Sequence, residues 1–199
     1  MIMSKEKRIV EKKDLVSSEE YAQNRKEIRK KLVEFKKDRR IHIGPYATFY
    51  FECFETMLGQ IQEMLHIEKG GDEQLKDELS AYNPLIPKGK ELVATLMFEI
   101  DDPFSRTEFL GKVGGIEENV YLLVDKKKIK AFSEKEVDRT SSEGKASSVH
   151  FLHFNLTDNQ IKNFKDLNND IFVGINHKFY SHEVKFEKNV QEALIKDFN

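Results

Sequence analysis

Histidine, cysteine and carboxylate side chains supply most of the metal-binding, nucleophilic and acid–base chemistry open to a protein. This chain has six histidines and a single cysteine, Cys53. Glu63 and His66 stand three residues apart, a spacing that puts both on one side of a helix. Glu-x-x-His is also the spacing of di-iron carboxylate bundles, which need two copies and two further glutamates. Only one copy is present, so the competing reading is a solvated helix face. His150 and His153, in "HFLHF", are also three apart, but on a strand that offset sends them to opposite faces. His177 and Tyr180, in "GINHKFYSH", follow directly on a predicted strand, whose end can present them to a cleft. The bland alternative there is a turn held by local hydrogen bonds. His150, His177, Tyr180 and Glu63 are therefore the candidate ligand or metal residues. The sequence assigns no catalytic residue, no metal and no cofactor.

Other chemistries lack their motifs. "GKVGG" at 111–115 is not a dinucleotide fingerprint, and no Gly-rich loop ends in Gly-Lys-Ser/Thr. No serine sits in a nucleophile elbow. Cys53 falls in a predicted buried strand, where a thiol packs as a small hydrophobe; a reactive one needs an exposed electropositive setting. Residues 25–40 carry nine Lys/Arg against three acids. Such a run can form a nucleic-acid stripe, but no aromatic residues interleave on its exposed face and the net charge is −2. A solvated helix surface is the expected reading, and nucleic acid is not an expected partner.

Composition sets the frame for these residues. Hydrophobic residues make up 39% and charged residues 34%, with fifteen phenylalanines to fill a core. One cysteine excludes an intrachain disulfide. No apolar run approaches a membrane span, and "MIMSKEKRIVEKK" lacks the apolar region of a signal peptide. These features lead to an expectation of the cytoplasm. Residues 1–13 carry no periodicity and are expected to form a flexible N-terminal extension, with 14–199 as one globular domain.

The elements read as follows. Ser17 and Glu20 form a capping box that opens a helix to about Asp38, with Tyr21, Ile28, Leu32 and Phe35 on its inner face. Gly44-Pro45 marks a turn, and Tyr46 to Phe54 reads as a buried strand. Met57, Leu58, Ile61, Met64 and Leu65 lie at helical spacing up to Gly70-Gly71. A short helix, then the strand "ELVATLMFEI", then a helix opened by Asp102-Pro103 follow. "NVYLLVD" and "KIKAFS" form a hairpin, and 133–146 is a long polar loop. The strand "SSVHFLHFNL", a helix capped by Thr157 and Gln160, the strand "DIFVGIN" and an amphipathic C-terminal helix complete the chain. This pattern predicts an α+β fold. Its sheet is expected to be mixed but largely antiparallel, with the N-terminal and C-terminal helices packed on it.

Two of the four prolines lie three apart in "ELSAYNPLIPKG". A residue before proline is pushed out of the α region, so Asn83 and Ile86 are expected to be extended. Asn83, Pro84 and Pro87 then form a rigid structural corner that ends a helix near Tyr82 and launches the next strand.

Several segments occur in a distinctive order: "SSEEYAQNRKEIRKKLVEFKKDRRIHIGP", "QIQEML", "DELSAYNPLIPKG", "ATLMFEIDDP", "GGIEENVYL", "SSVHFLHFNL" and "GINHKFY". Together they resemble the uncharacterised bacterial family catalogued as domain of unknown function 3501, over roughly residues 14–199. "QIQEML" and "AYNPLIP" are the most specific pieces. The chain departs from the family pattern at His66, where relatives carry arginine, and at "MLGQ", where they are more basic. The resemblance transfers no activity. It implies an accessory role beside a rubrerythrin-like protein or an iron–sulfur protein, an association rather than a mechanism.

Three functions follow as expectations. The first is a non-catalytic accessory or binding protein associated with such a redox system. The second is a metal-dependent enzyme with His150, His177, Tyr180 and Glu63 converging in a cleft. The third is a weak nucleic-acid binder through 25–40. The metal reading carries a geometric test. His150 and His177 must meet across neighbouring strands with Tyr180 nearby, which requires an antiparallel pair or a connection that shifts the register strongly. In a parallel pair they stand roughly 20 Å apart.

Overall fold

A computed structural model describes residues 8–133 and 144–199. The polar loop expected at 133–146 falls largely outside them. The strands are β1 (Arg40–Ile43), β2 (Ala47–Phe51), β3 (Glu91–Phe98), β4 (Val120–Val124), β5 (Lys127–Lys130), β6 (Phe132–Ser133), β7 (Val149–Asn155), β8 (Ile171–His177) and β9 (Tyr180–Lys185). The helices are α1 (Ser18–Lys36), α2 (Phe54–Glu68), α3 (Gly71–Tyr82), α4 (Pro103–Lys112), α5 (Asp158–Lys165) and α6 (Lys188–Ile195).

The fold is α+β, as expected, but the strands divide between two sheets. One has the order β1-β2-β3-β7-β6 and the other β5-β4-β8-β9. Every registered pair is antiparallel, so the mixed character expected of the sheet is absent among the described residues. Alternation explains how the sheets meet. Phe49, Phe51, Leu92, Leu96, Phe98, Leu152 and Phe154 project from one face of the first sheet. They share one core with Val120, Leu122, Val173 and Ile175 of the second. Val190, Leu194 and Phe198, in and just beyond α6, close that core. On the other face of the first sheet, Val93 and Phe151 pack against α2 and α3 through Phe54, Met57, Ile61 and Leu75.

Helix α1 lies on α2, and one half of the expected capping box fixes its start: Ser17 Oγ accepts from Glu20 N at 3.2 Å. Gly59 allows the two helices to approach closely. A Cβ there would stand 2.5 Å from Leu32 Cδ2.

Four local expectations change. Cys53 is buried but caps α2 rather than ending a strand. Strands β1 and β9 were not read from the sequence, because each is short and largely polar on its open face. Asn83 is not extended: it sits in the αR region (φ −62°, ψ −34°) within a 3-10 turn Asn83–Leu85, whereas Ile86 is extended as expected. Finally, residues 8–13, the described part of the extension expected at 1–13, are docked on the fold. Val10 is only 1% exposed.

The last two changes have one cause. The Asn83 side chain clasps the Val10 backbone at two points: Val10 N donates to Oδ1 at 2.7 Å, and Nδ2 donates to Val10 O at 3.1 Å. The Arg8 guanidinium donates to Pro87 O at 3.1 Å and to Asp197 O at 2.8 Å. The proline corner therefore docks both the N-terminal segment and the end of the chain. These contacts offset the cost of an α conformation before proline.

Candidate functional site

The four candidate residues do not converge. His150 is fully buried on β7. Its Nε2 lies 2.9 Å from Ser147 O, and since a carbonyl only accepts, Nε2 carries the hydrogen. Nδ1 lies 3.7 Å from Glu117 Oε2. His177 ends β8 in the other sheet, at the β8–β9 turn, where Nδ1 accepts from Phe179 N at 3.3 Å. This is the local turn bond that the sequence offered as the alternative. Strands β7 and β8 are not neighbours, so the strand–strand meeting of His150 and His177 does not form. Tyr180 does approach His150 indirectly, since both rings stand edge-on to Phe98, with centroids 5.9 and 6.0 Å away. Its hydroxyl donates to Ile43 O at 2.5 Å and accepts from Tyr46 N at 3.1 Å, pinning the β1–β2 turn. Among the described residues no three His, Cys, Asp or Glu side chains group as a metal site.

Glu63 lies on α2, beyond the outer face of the first sheet. Tyr21 OH donates to its Oε2 at 2.8 Å, and Arg25 makes a two-point contact at 3.1 and 2.5 Å. Arg29 adds a bond at 3.3 Å. Two guanidiniums and a phenol thus occupy the carboxylate. His66 stands edge-on to the Tyr21 ring, 5.5 Å between centroids. The hydrogen bonds from Arg25, helped by Tyr21, outweigh burial and hold the Glu63 carboxyl down at about 2. Burial first, then Glu63, pushes the Tyr21 phenol up to about 12.

This network lies between two concave surfaces that share Ala22 and His66. One, of about 420 Å³, is lined also by Arg25, Lys26 and Arg29. The other, of about 670 Å³, runs between the start of α1 and α2–α3 over Leu15, Val16, Leu65 and Leu75. The basic run 25–40 is therefore not one stripe. Arg25 and Arg29 turn in to Glu63, and Arg39 is buried.

Cys53 is packed: burial pushes its thiol up to about 12, and it donates to Glu55 at 3.1 Å. No helix among the described residues is long and apolar enough to cross a membrane.

A family model described as Protein of unknown function (DUF3501) matches residues 9–198. The chain belongs to this family. A DUF3501 chain has a close structural counterpart in the crystal structure of a novel protein of unknown function from Burkholderia pseudomallei K96243. The two are 33% identical, with a TM-score of 0.88 over 96% of this chain and 99% of that one. No curated protein matches.

The sequence reading missed one polar chain in this DUF3501 member. Thr48 Oγ1 donates to Glu99 Oε2 at 2.6 Å and lies 2.8 Å from His42 Nδ1, and Tyr50 OH donates to Glu99 Oε1 at 2.8 Å. With β1 unrecognised, nothing aligned His42 with Thr48. Strand alternation did hold the signal, since Thr48, Tyr50 and Glu99 fall on one face.

The Glu63 network makes a testable claim about pH. A carboxyl whose folded pKa is depressed stabilises the fold fully above its unfolded value and loses that contribution as pH falls through the folded value. Glu63→Gln is expected to destabilise the protein near neutrality, with the deficit shrinking below about pH 5. Urea melts of both proteins at about pH 6 and about pH 3.5 read the gap; an equal gap at both would count against an ionised, paired Glu63.

Proposed function

We propose that the protein is a non-catalytic binding protein that works through its α1–α3 layer, accessory to an iron-containing redox partner in the cytoplasm. The observation that supports this reading is the pair of adjoining clefts on that layer. The larger runs over the apolar side chains of Leu15, Val16, Leu65 and Leu75, and the smaller is cationic; an apolar surface with a few placed polar groups is the usual make-up of a binding site. The candidate side chains His150, His177, Tyr180 and Glu63, with Cys53, are instead held in structural bonds. The resemblance described above supplies the partner class, a rubrerythrin-like or iron–sulfur protein.

The test has two parts. Untagged protein is purified under mild conditions, co-purifying proteins are identified, and the complex is rebuilt from its two purified components. The expected result is a saturable complex with an iron protein, weakened by reversing the charges of Lys12 and Lys69 at the cleft. A rebuilt complex with a protein that holds no iron, or no complex with either partner class, overturns the partner assignment. Stoichiometric iron, zinc or manganese in the untagged protein itself would overturn the non-catalytic reading in favour of the metal enzyme.

A further inference from the structure

The cationic end of the cleft has features that structural ion pairing alone does not require. Arg25, Lys26 and Arg29 follow one another along one side of α1, and His66 faces them from α2. Three permanent positive charges thus stand against one carboxylate, Glu63. That carboxylate fixes the two guanidiniums from below, and Tyr21 fixes the carboxylate in turn. Lys26 makes no ion pair with any described residue. Arg29 gives Glu63 only one bond, at 3.3 Å. Donors held in place by a buttress, with charge to spare, suit an oxyanion. The acids of the adjoining cavity are Glu19 and Asp72, and Asp72 is tied to Lys12 at 2.7 Å. Past Ala22 and His66 the surface turns apolar, at Leu15, Leu65 and Leu75.

We infer that this cleft binds a small phosphate monoester, its phosphate between Arg25, Lys26, Arg29 and His66 and its apolar body over Leu15, Leu65 and Leu75. A phosphate suits the site better than a carboxylate does. It carries more charge and three terminal oxygens, enough to reach three cations at once. The inference rests on the preceding reading only in placing binding at the α1–α3 layer. It does not depend on the partner, so phosphate binding without an iron protein, or the reverse, separates the two.

Isothermal titration calorimetry at fixed ionic strength tests it, with phenyl phosphate, inorganic phosphate and benzoate as probes. Phenyl phosphate is expected to saturate at one per chain and to bind about tenfold more tightly than either of the others. The double variant Lys26→Gln/Arg29→Gln is expected to weaken it by about 10- to 100-fold, the loss of one or two charge-assisted hydrogen bonds. Its melting temperature without ligand should stay close to that of the parent, because both side chains are exposed. Lys26→Gln alone, which breaks no ion pair among the described residues, is a second variant and should lose about tenfold. No saturable binding up to about 10 mM, equal affinity for the three probes, or undiminished binding by a folded variant would each overturn the inference.

Discussion

Arg39→Met is expected to lower the unfolding free energy by about 3–5 kcal/mol. Arg39 is 3% exposed and Asp197, its partner, 1%, with 2.5 Å between Nη2 and Oδ2. Burial works against the guanidinium's charge, but Asp197, with Cys53 and Glu55 adding to it, leaves the Arg39 pKa above its ordinary value. Burial raises the Asp197 carboxyl while Arg39 pulls it down. We take the pair as ionised, because a guanidinium does not give up its proton in a protein. Removing Arg39 leaves a buried carboxylate without its counter-charge. It also takes the donor from Phe51 O (3.0 Å) and Glu52 O (3.1 Å), where β2 passes into α2. Removing both charges, in Arg39→Met/Asp197→Leu, should recover part of the loss but not all of it, since those two carbonyls stay unpaired. Denaturant unfolding of the single and double variants measures this. A single variant within about 1 kcal/mol of the parent would mean that the pair is solvated or open.

Phe98→Ala should cost a similar amount, about 3–5 kcal/mol. Phe98 is 4% exposed and sits at the end of β3, where the two sheets share their core. Phe109, Tyr180 and His150 surround its ring, with centroids 5.1, 5.9 and 6.0 Å away. Truncation leaves a cavity lined by aromatic rings, which are stiff and cannot collapse to fill it. It also loosens the packing that holds Tyr180, whose hydroxyl pins the β1–β2 turn at Ile43 and Tyr46. Phe98→Leu, which keeps more of the volume, should cost clearly less. A melting temperature unchanged in Phe98→Ala would mean that this end of β3 does not lie between the sheets.

The sequence by itself determined the elements with a strong period or a strong cap. Ser17, through its hydroxyl, opened α1, Asp102-Pro103 opened α4, and Thr157 with Gln160 opened α5. In β3, alternation sent Leu92, Leu96 and Phe98 to one side and Val93 to the other, as the two separate clusters of buried residues require. These signals are local: a cap is read within four residues and a strand face within two. The family resemblance was likewise legible, since it rests on the order of segments.

Only the tertiary structure decided what those faces meet. His150 and His177 sit on strands separated by one helix, and nothing local shows that the strands belong to different sheets. Glu63 looked like a ligand because its partners Tyr21, Arg25 and Arg29 lie 34 to 42 residues away. Residues 8–13, within the stretch expected to be a flexible extension, carry no local signal because their anchors, Asn83, Pro87 and Asp197, lie more than seventy residues off. A hydrogen bond between distant residues leaves no period in either stretch. It forms only once the core has closed around it and made leaving the donor or acceptor unpaired costly.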